Sequence, residues 1–190
     1  MTENQWTQSI CEALNSSDLG HDIHVTTLCK LPYAFEIDSF DDNWQVLSKH
    51  STSFETDMLI YEARDGVRIP RVIIESKLGS VTTHDAITYS NKAACHKQVM
   101  PYLRYGIMLG DRETYPLPGR LFRHGTNFDF LFSFTGTVPT DHELNTFVEM
   151  LRKEILFSQQ MEEILANSRH RDRKHYFMLQ KELHFEEFDQ

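Results

Sequence analysis

The sequence has little cysteine, no long apolar run and no low-complexity tract, and each absence excludes a class of protein. Its 190 residues include only three cysteines, Cys11, Cys29 and Cys95. These are too few and too scattered for a disulfide framework, and no CxxC pair is present for a structural zinc site. They read as small buried hydrophobes in a reducing compartment. No stretch approaches the roughly 20 apolar residues needed to span a bilayer, so no membrane segment is expected. The opening residues, Met1-Thr2-Glu3-Asn4-Gln5-Trp6, are polar and acidic and lack the basic and apolar regions of a secretory leader, so a cytoplasmic location is expected. Without repeats or Gly/Ser linkers, one domain is expected over residues 1–190, with a core over about 1–140 and a C-terminal helical extension over about 141–190.

What is present is ordinary globular composition: 40% hydrophobic, 12% aromatic and 25% charged residues. A chain of this length buries roughly 70% of its unfolded surface, and fibrous or wholly disordered readings are excluded. Net charge is −9, which argues against a surface devoted to nucleic acid. The charge is unevenly distributed. Residues 64–125 hold ten basic side chains against five acids, whereas residues 1–63 hold eleven acids against Lys30 and Lys49. A positive middle in a negative protein points to a local polyanion site.

Trp6, Ile10, Ala13 and Leu14 fall at helical spacing, predicting a helix over 3–16. Residues 23–38 read as one or two strands broken at Pro32, and Trp44–Leu47 as a strand or a helix. Phe54–Ala63 and Pro70–Leu78 are strand-like runs around Arg64-Asp65-Gly66-Val67, a strong hairpin signal. Thr82-Thr83-His84-Asp85 can cap a helix running to about Val99 and stopped by Pro101. Strands are predicted at Tyr105–Leu109 and Phe128–Phe134, separated by a Pro/Gly-containing loop over 111–127. A long amphipathic helix over 141–166 presents Leu144, Phe147, Val148, Leu151, Ile155 and Leu156, and a further helix is predicted toward Leu183. The order predicts an α/β fold with a mixed central sheet flanked by helices.

With the hairpin loop centred on Gly66, antiparallel partners sum to 132, so Asp57 faces Glu75 and Glu55 faces Lys77. One sheet face then carries three carboxylates and a lysine. Two carboxylates at about 5 Å on apolar strands are costly together unless a cation sits between them. Oxygen ligands in this arrangement suit Mg2+, which takes one or two carboxylates and completes its octahedron with water and phosphate oxygens. The carbonyl of Ser76 offers a further oxygen. Lys77 beside such an ion is placed to help deprotonate a bound water and to stabilise charge on an attacked phosphate. The bland alternative is a set of salt bridges on a solvated sheet face. The buried run Val72-Ile73-Ile74 leading into the motif, and a helix with basic residues after it, favour the site.

Asp57-Met58-Leu59-Ile60 followed by Ile73-Ile74-Glu75-Ser76-Lys77 resembles the PD-(D/E)xK nuclease superfamily, which includes many type II restriction endonucleases. The resemblance covers roughly residues 54–110, with Thr56 where the motif's proline would stand. It implies an αβββαβ core and Mg2+-dependent DNA cleavage, with Mn2+ as a substitute ion. It also implies Asp57 and Glu75 as metal ligands and Lys77 as the catalytic lysine, with Glu55 and, on the first helix, Glu12 as further candidate ligands. Gln98 and Tyr102 match the QxxxY pattern by which RecB-like members position DNA.

Lys92 and Lys97, on the helix after the motif, are candidate phosphate contacts. Arg112, Arg120 and Arg123, in the loop over 111–127, are candidates for reading guanine in the major groove. The basic run Arg169–His175 is more simply a solvated helix face. His21, His24 and Cys29 lack a fourth partner for zinc. The reading is an Mg2+-dependent endodeoxyribonuclease of restriction type, acting on double-stranded DNA as a homodimer joined through the helix at 141–166, with no membrane and no organic cofactor. The alternatives are a RecB-like or repair nuclease acting on ends or single strands, and a non-catalytic binding module with the same fold.

Overall fold

A computed structural model describes residues 1–113, 117–172, 174–180 and 183–186. A five-stranded mixed sheet in the order β1-β2-β3-β4-β5 forms its centre, flanked by helices on both faces. Along the chain run α1 (Glu3–Asn15), β1 (Ile23–Phe40), β2 (Val46–Arg64), β3 (Val67–Leu78), α2 (Thr83–Val99), β4 (Arg104–Gly110), α3 (Gly119–His124), β5 (Phe130–Ser133) and α4 (Asp141–Asn167). Strands β1 to β3 form an antiparallel meander, and β4 and β5 add in parallel. The segment from α1 to β4 therefore has the αβββαβ order that the resemblance implied.

Alternation sorts the side chains between two layers. Met58, Ile60, Val72, Ile74, Met108 and Phe132 pack beneath α1 and α4, where they meet Trp6, Ile10, Phe147 and Leu151. Leu59, Ile73, Tyr105, Ile107 and Leu109 face the other way, toward α2 and α3. Val72-Ile73-Ile74 is buried on both sides because β3 is a central strand. Helices α1, α2 and α4 each open on a capping box, at Thr2/Gln5, Thr82/Asp85 and Thr140/Glu143.

Several expectations are corrected. Pro32 does not break β1 but sits in an edge strand, where its missing N–H costs no ladder bond inside the sheet; the register shifts between Pro32 and Ala34. The Trp44–Leu47 stretch divides, with β2 beginning at Val46 after a turn in which Asp41 accepts the N–H groups of Asn43 and Gln45 at 2.8 Å. A short helix, α3, interrupts the expected loop over 111–127, of which Thr114–Pro116 lie outside the described residues. No helix follows α4 among the described residues up to Leu183; Arg173, Lys181 and Glu182 of that stretch, and residues 187–190, lie outside them. The apolar residues of α4 divide: Phe147, Val148, Leu151 and Ile155 are buried against the chain's own sheet, whereas Leu156, Phe157, Met161, Ile164 and Leu165 are exposed. No described helix is long and apolar enough to cross a membrane.

Folding also neutralises half of the ten basic side chains of the positive middle segment. Arg64 and Arg71 pair with Glu162, Lys77 with Glu3, Lys97 with Asp129, and Arg104 with Glu154 and Asp129. Every one of those acids lies outside residues 64–125, so charges clustered in sequence are neutralised in space.

Candidate active site

The site lies where β2 and β3 part. Their ladder runs from Arg64↔Val67 to Met58↔Ile74 and ends there, and just beyond its end the Asp57 and Glu75 carboxyls act on each other. Asp57 Oδ2 accepts the backbone N–H of Ser76 at 2.8 Å and its hydroxyl at 3.2 Å. Ser76 in turn shares a 2.7 Å hydrogen bond with Thr7, which ties α1 to the motif. Beside Asp57 a cleft of about 60 Å³ opens between Asn4, Thr7 and Gln8 of α1 and Thr27 and Leu28 of β1. Leu28, which lines this cleft with Asp57, has a φ of 53°, a left-handed conformation uncommon for leucine. Thr56, where the motif's proline would stand, is buried and donates to the Cys29 carbonyl at 3.0 Å.

Glu75 is fully buried. Its Oε1 accepts the Tyr105 hydroxyl at 2.5 Å and lies 3.5 Å from Lys92 Nζ. Its Oε2 is buried with no hydrogen-bond partner. Burial first, and the Asp57 charge second, push the Glu75 carboxyl up to about 7. A second acid held beside Asp57 in a dry site, with one oxygen bare, is the environment that a cation would relieve. Burial, with the Glu75 charge beside it, holds the Tyr105 hydroxyl far above its usual range, so it remains a donor.

Lys77 is only 20% exposed and forms a 3.1 Å ion pair with Glu3 of α1. Glu3 also accepts the backbone N–H of Leu78 at 3.0 Å. Burial opposes the lysine's charge, but Tyr89, whose ring centre is 5.5 Å from Nζ, and Glu3 outweigh it and raise its pKa. Lys77 is therefore held as a cation in this structure, suited to stabilising negative charge beside the carboxylates.

Other expected residues are placed differently. Glu55 does not face Lys77, because β2 and β3 have already separated there; its side chain is exposed and its carbonyl lies 3.4 Å from Lys92 Nζ. Glu12 sits nine residues, roughly 13 Å, along α1 from Glu3 and pairs with Gln8 at 3.0 Å. Neither joins the two carboxylates, and no group of three or more His, Cys, Asp or Glu side chains is arranged to hold a metal among the described residues. His21 pairs with Asp22, and His24 packs on Tyr61 instead.

Lys92 stands 3.5 Å from Glu75 Oε1, with Tyr89 and Phe54 rings 5.2 and 5.7 Å from its Nζ. Lys97 is engaged by Asp129 at 2.7 Å and by the Asn127 carbonyl at 2.7 Å. Gln98 is exposed near the end of α2, and Tyr102 lies 5.8 Å from the Arg71 guanidinium toward the opposite end of β3. The QxxxY pair is thus not brought to the carboxylates, because α2 runs antiparallel to β3 and carries its last turn away from them. Arg112 donates to the Gly79 carbonyl at 2.7 Å, bracing the turn after β3. Arg120 and Arg123 lie on α3, with Arg123 exposed.

Three contributors were not anticipated: Glu3, Tyr89 and Tyr105. The acid on α1 was sought at Glu12, and helical phase alone does not say which turn meets the sheet. Tyr105 was read as part of a buried strand, and only the parallel register Ile73↔Tyr105 brings it next to Glu75.

No protein-family model and no curated protein matches the chain. Among solved structures, a pre-specific complex of the restriction endonuclease BsaWI with DNA is similar, at TM-score 0.47 and 12% identity, over 90% of this chain and 68% of that one.

Proposed function

We propose that this protein is an Mg2+-dependent endodeoxyribonuclease that hydrolyses phosphodiester bonds of double-stranded DNA, with Asp57, Glu75 and Lys77 as its catalytic set and Mn2+ as a substitute ion. One observation carries the reading: Asp57 and Glu75 meet at the parting of two strands, and no donor faces the buried Glu75 Oε2, which leaves the acidic pair uncompensated on that side. A structural carboxylate pair would be expected to satisfy both oxygens, since an unpaired buried polar atom costs about 1–3 kcal/mol. The residues fit a divalent cation held by Asp57, Glu75 and the Ser76 carbonyl, leaving its other positions to water and a phosphate oxygen. When bound, the ion supplies an activated water and charge neutralisation at the phosphate.

The chain's own residues do the rest. Lys77, kept charged by Glu3 and Tyr89, donates toward the phosphate oxygens as negative charge builds there. Ser76 fixes the Asp57 carboxylate through two hydrogen bonds, so its free oxygen is held in one direction. Lys92 compensates part of the charge of the acidic pair. In the overall reaction water adds to phosphorus, one P–O ester bond breaks, and the departing oxygen takes up a proton. Exposed Arg123 on α3 supports site-specific contact with duplex DNA, and cutting both strands calls for two copies of the chain.

Purified protein is to be incubated with plasmid and phage DNA in Mg2+ and in EDTA, alongside Asp57→Ala and Lys77→Ala. Discrete Mg2+-dependent fragments, lost in both variants, are expected. Digestion proceeding from ends would transfer the assignment to a RecB-like nuclease. Absence of cleavage on every DNA would leave a binding module with this fold.

A further inference from the structure

The donors that hold Glu75 reach one of its oxygens only, with the Asp57 carboxyl beside it. Tyr105 Oη and Lys92 Nζ both address Oε1, at 2.5 and 3.5 Å, while Oε2 is bare. Tyr105 is itself immobile. It is fully buried, stacked between His96 and Phe128 at ring separations of 5.7 and 6.4 Å. Its backbone is tied twice to Asp129, donating to Oδ2 at 2.8 Å and accepting from N–H at 2.7 Å. A rigid donor on Oε1 prevents the carboxylate from turning to offer both oxygens to one ion.

Resting on the nuclease reading of this site, we infer that Tyr105 is a positioning residue that holds Glu75 as a one-oxygen ligand, so that the site selects a small six-coordinate cation over Ca2+. Mg2+ and Mn2+ accept single-oxygen carboxylates in a compact octahedron. Ca2+ takes six to eight oxygens and gains from bidentate carboxylates, which the Tyr105 hydrogen bond denies it. Loss of the hydroxyl leaves Glu75 free to rotate and present both oxygens.

The test is calorimetric titration of Mn2+ and of Ca2+ into the full chain without DNA, for wild type, Tyr105→Phe, Phe128→Leu and the control Tyr61→Phe. Tyr105→Phe keeps the ring and its packing. Its Mn2+ affinity is expected to fall about tenfold, as for other partners of metal ligands, with a smaller fall or a rise for Ca2+, so the Mn2+/Ca2+ preference drops. Phe128→Leu keeps the hydroxyl but removes one wall of the stack, and its preference is expected to drop by a smaller factor. Tyr61→Phe is expected to match wild type. Unchanged preference in both Tyr105→Phe and Phe128→Leu, with wild type binding Mn2+, overturns the role of Tyr105 and leaves the nuclease reading standing. Wild type that binds neither ion overturns both.

Discussion

Ile60 pairs with Val72 and not with Arg71, and this one-residue offset decides what the site contains. From the turn to Tyr61↔Pro70 the hairpin follows the register of a two-residue loop at Asp65-Gly66, where φ is 52° and 79°. Arg71 is then passed over as a bulge, and pairing resumes at Ile60↔Val72. Without the bulge Asp57 would face Ile74, and Glu75 would point to the other side of the sheet. The bulged Arg71 is fully buried and bound to Glu62 at 2.7 Å and to Glu162 of α4 at 2.6 Å.

Arg71→Ala is therefore expected to cost about 3 kcal/mol, because it empties a buried bulge and leaves Glu62 and Glu162 to share the half-exposed Arg64. Urea unfolding of the variant measures this. A loss below about 1 kcal/mol would mean that the ion cluster does not hold the bulge.

Glu75 sets a pH dependence. Its folded pKa, about 7, lies above the ordinary 4.5, so the stability tied to its proton is full below about pH 4.5 and is lost as pH rises through 7. The loss amounts to about 3 kcal/mol. Glu75→Gln is expected to remove this component and to be the more stable protein at pH 8 in the absence of divalent cations. Parallel unfolding curves for the two proteins across pH 5–8 would remove the assignment.

Gly106 leaves room for one ring. A Cβ there would stand 2.3 Å from Phe130, in a strand pair whose faces are both covered. Gly106→Ala is expected to destabilise by about 2 kcal/mol through overpacking, with Phe130→Leu recovering part of the loss in the double variant. Additive effects in that cycle would show that the two positions do not meet.

His50 titrates on the exposed β1–β2 hairpin between two acids. Its hydrogen bond with Glu36 at 2.6 Å, and Asp38 at 3.0 Å, raise its pKa above the ordinary 6.5. NMR titration of the imidazole is expected to show this, and Glu36→Gln to bring the value down. An unshifted wild-type titration would count against the pairing.

Sequence alone determined those elements whose signals are local. The Thr82/Asp85 cap, the Asp65-Gly66 turn, and the run Val72-Ile73-Ile74 each act within a few residues, and each lies where it was expected. The motif Asp57…Glu75-Ser76-Lys77 was legible for the same reason. Its common face followed from a pairing sum of 132, which holds from Ile60↔Val72 to Met58↔Ile74 but fails by Glu55 and Lys77, while the turn itself obeys 131. Tertiary structure decided the rest. A buried bulge supplied the missing residue of register, and the approach of α1 chose Glu3 over Glu12 as the partner of Lys77. The parallel entry of β4 brought Tyr105 to Glu75. Long-range ion pairs absorbed half the basic side chains of a positive segment that looked available for DNA. These outcomes depend on which distant surfaces meet, and that is fixed by burying one shared core, not by any stretch of chain acting alone.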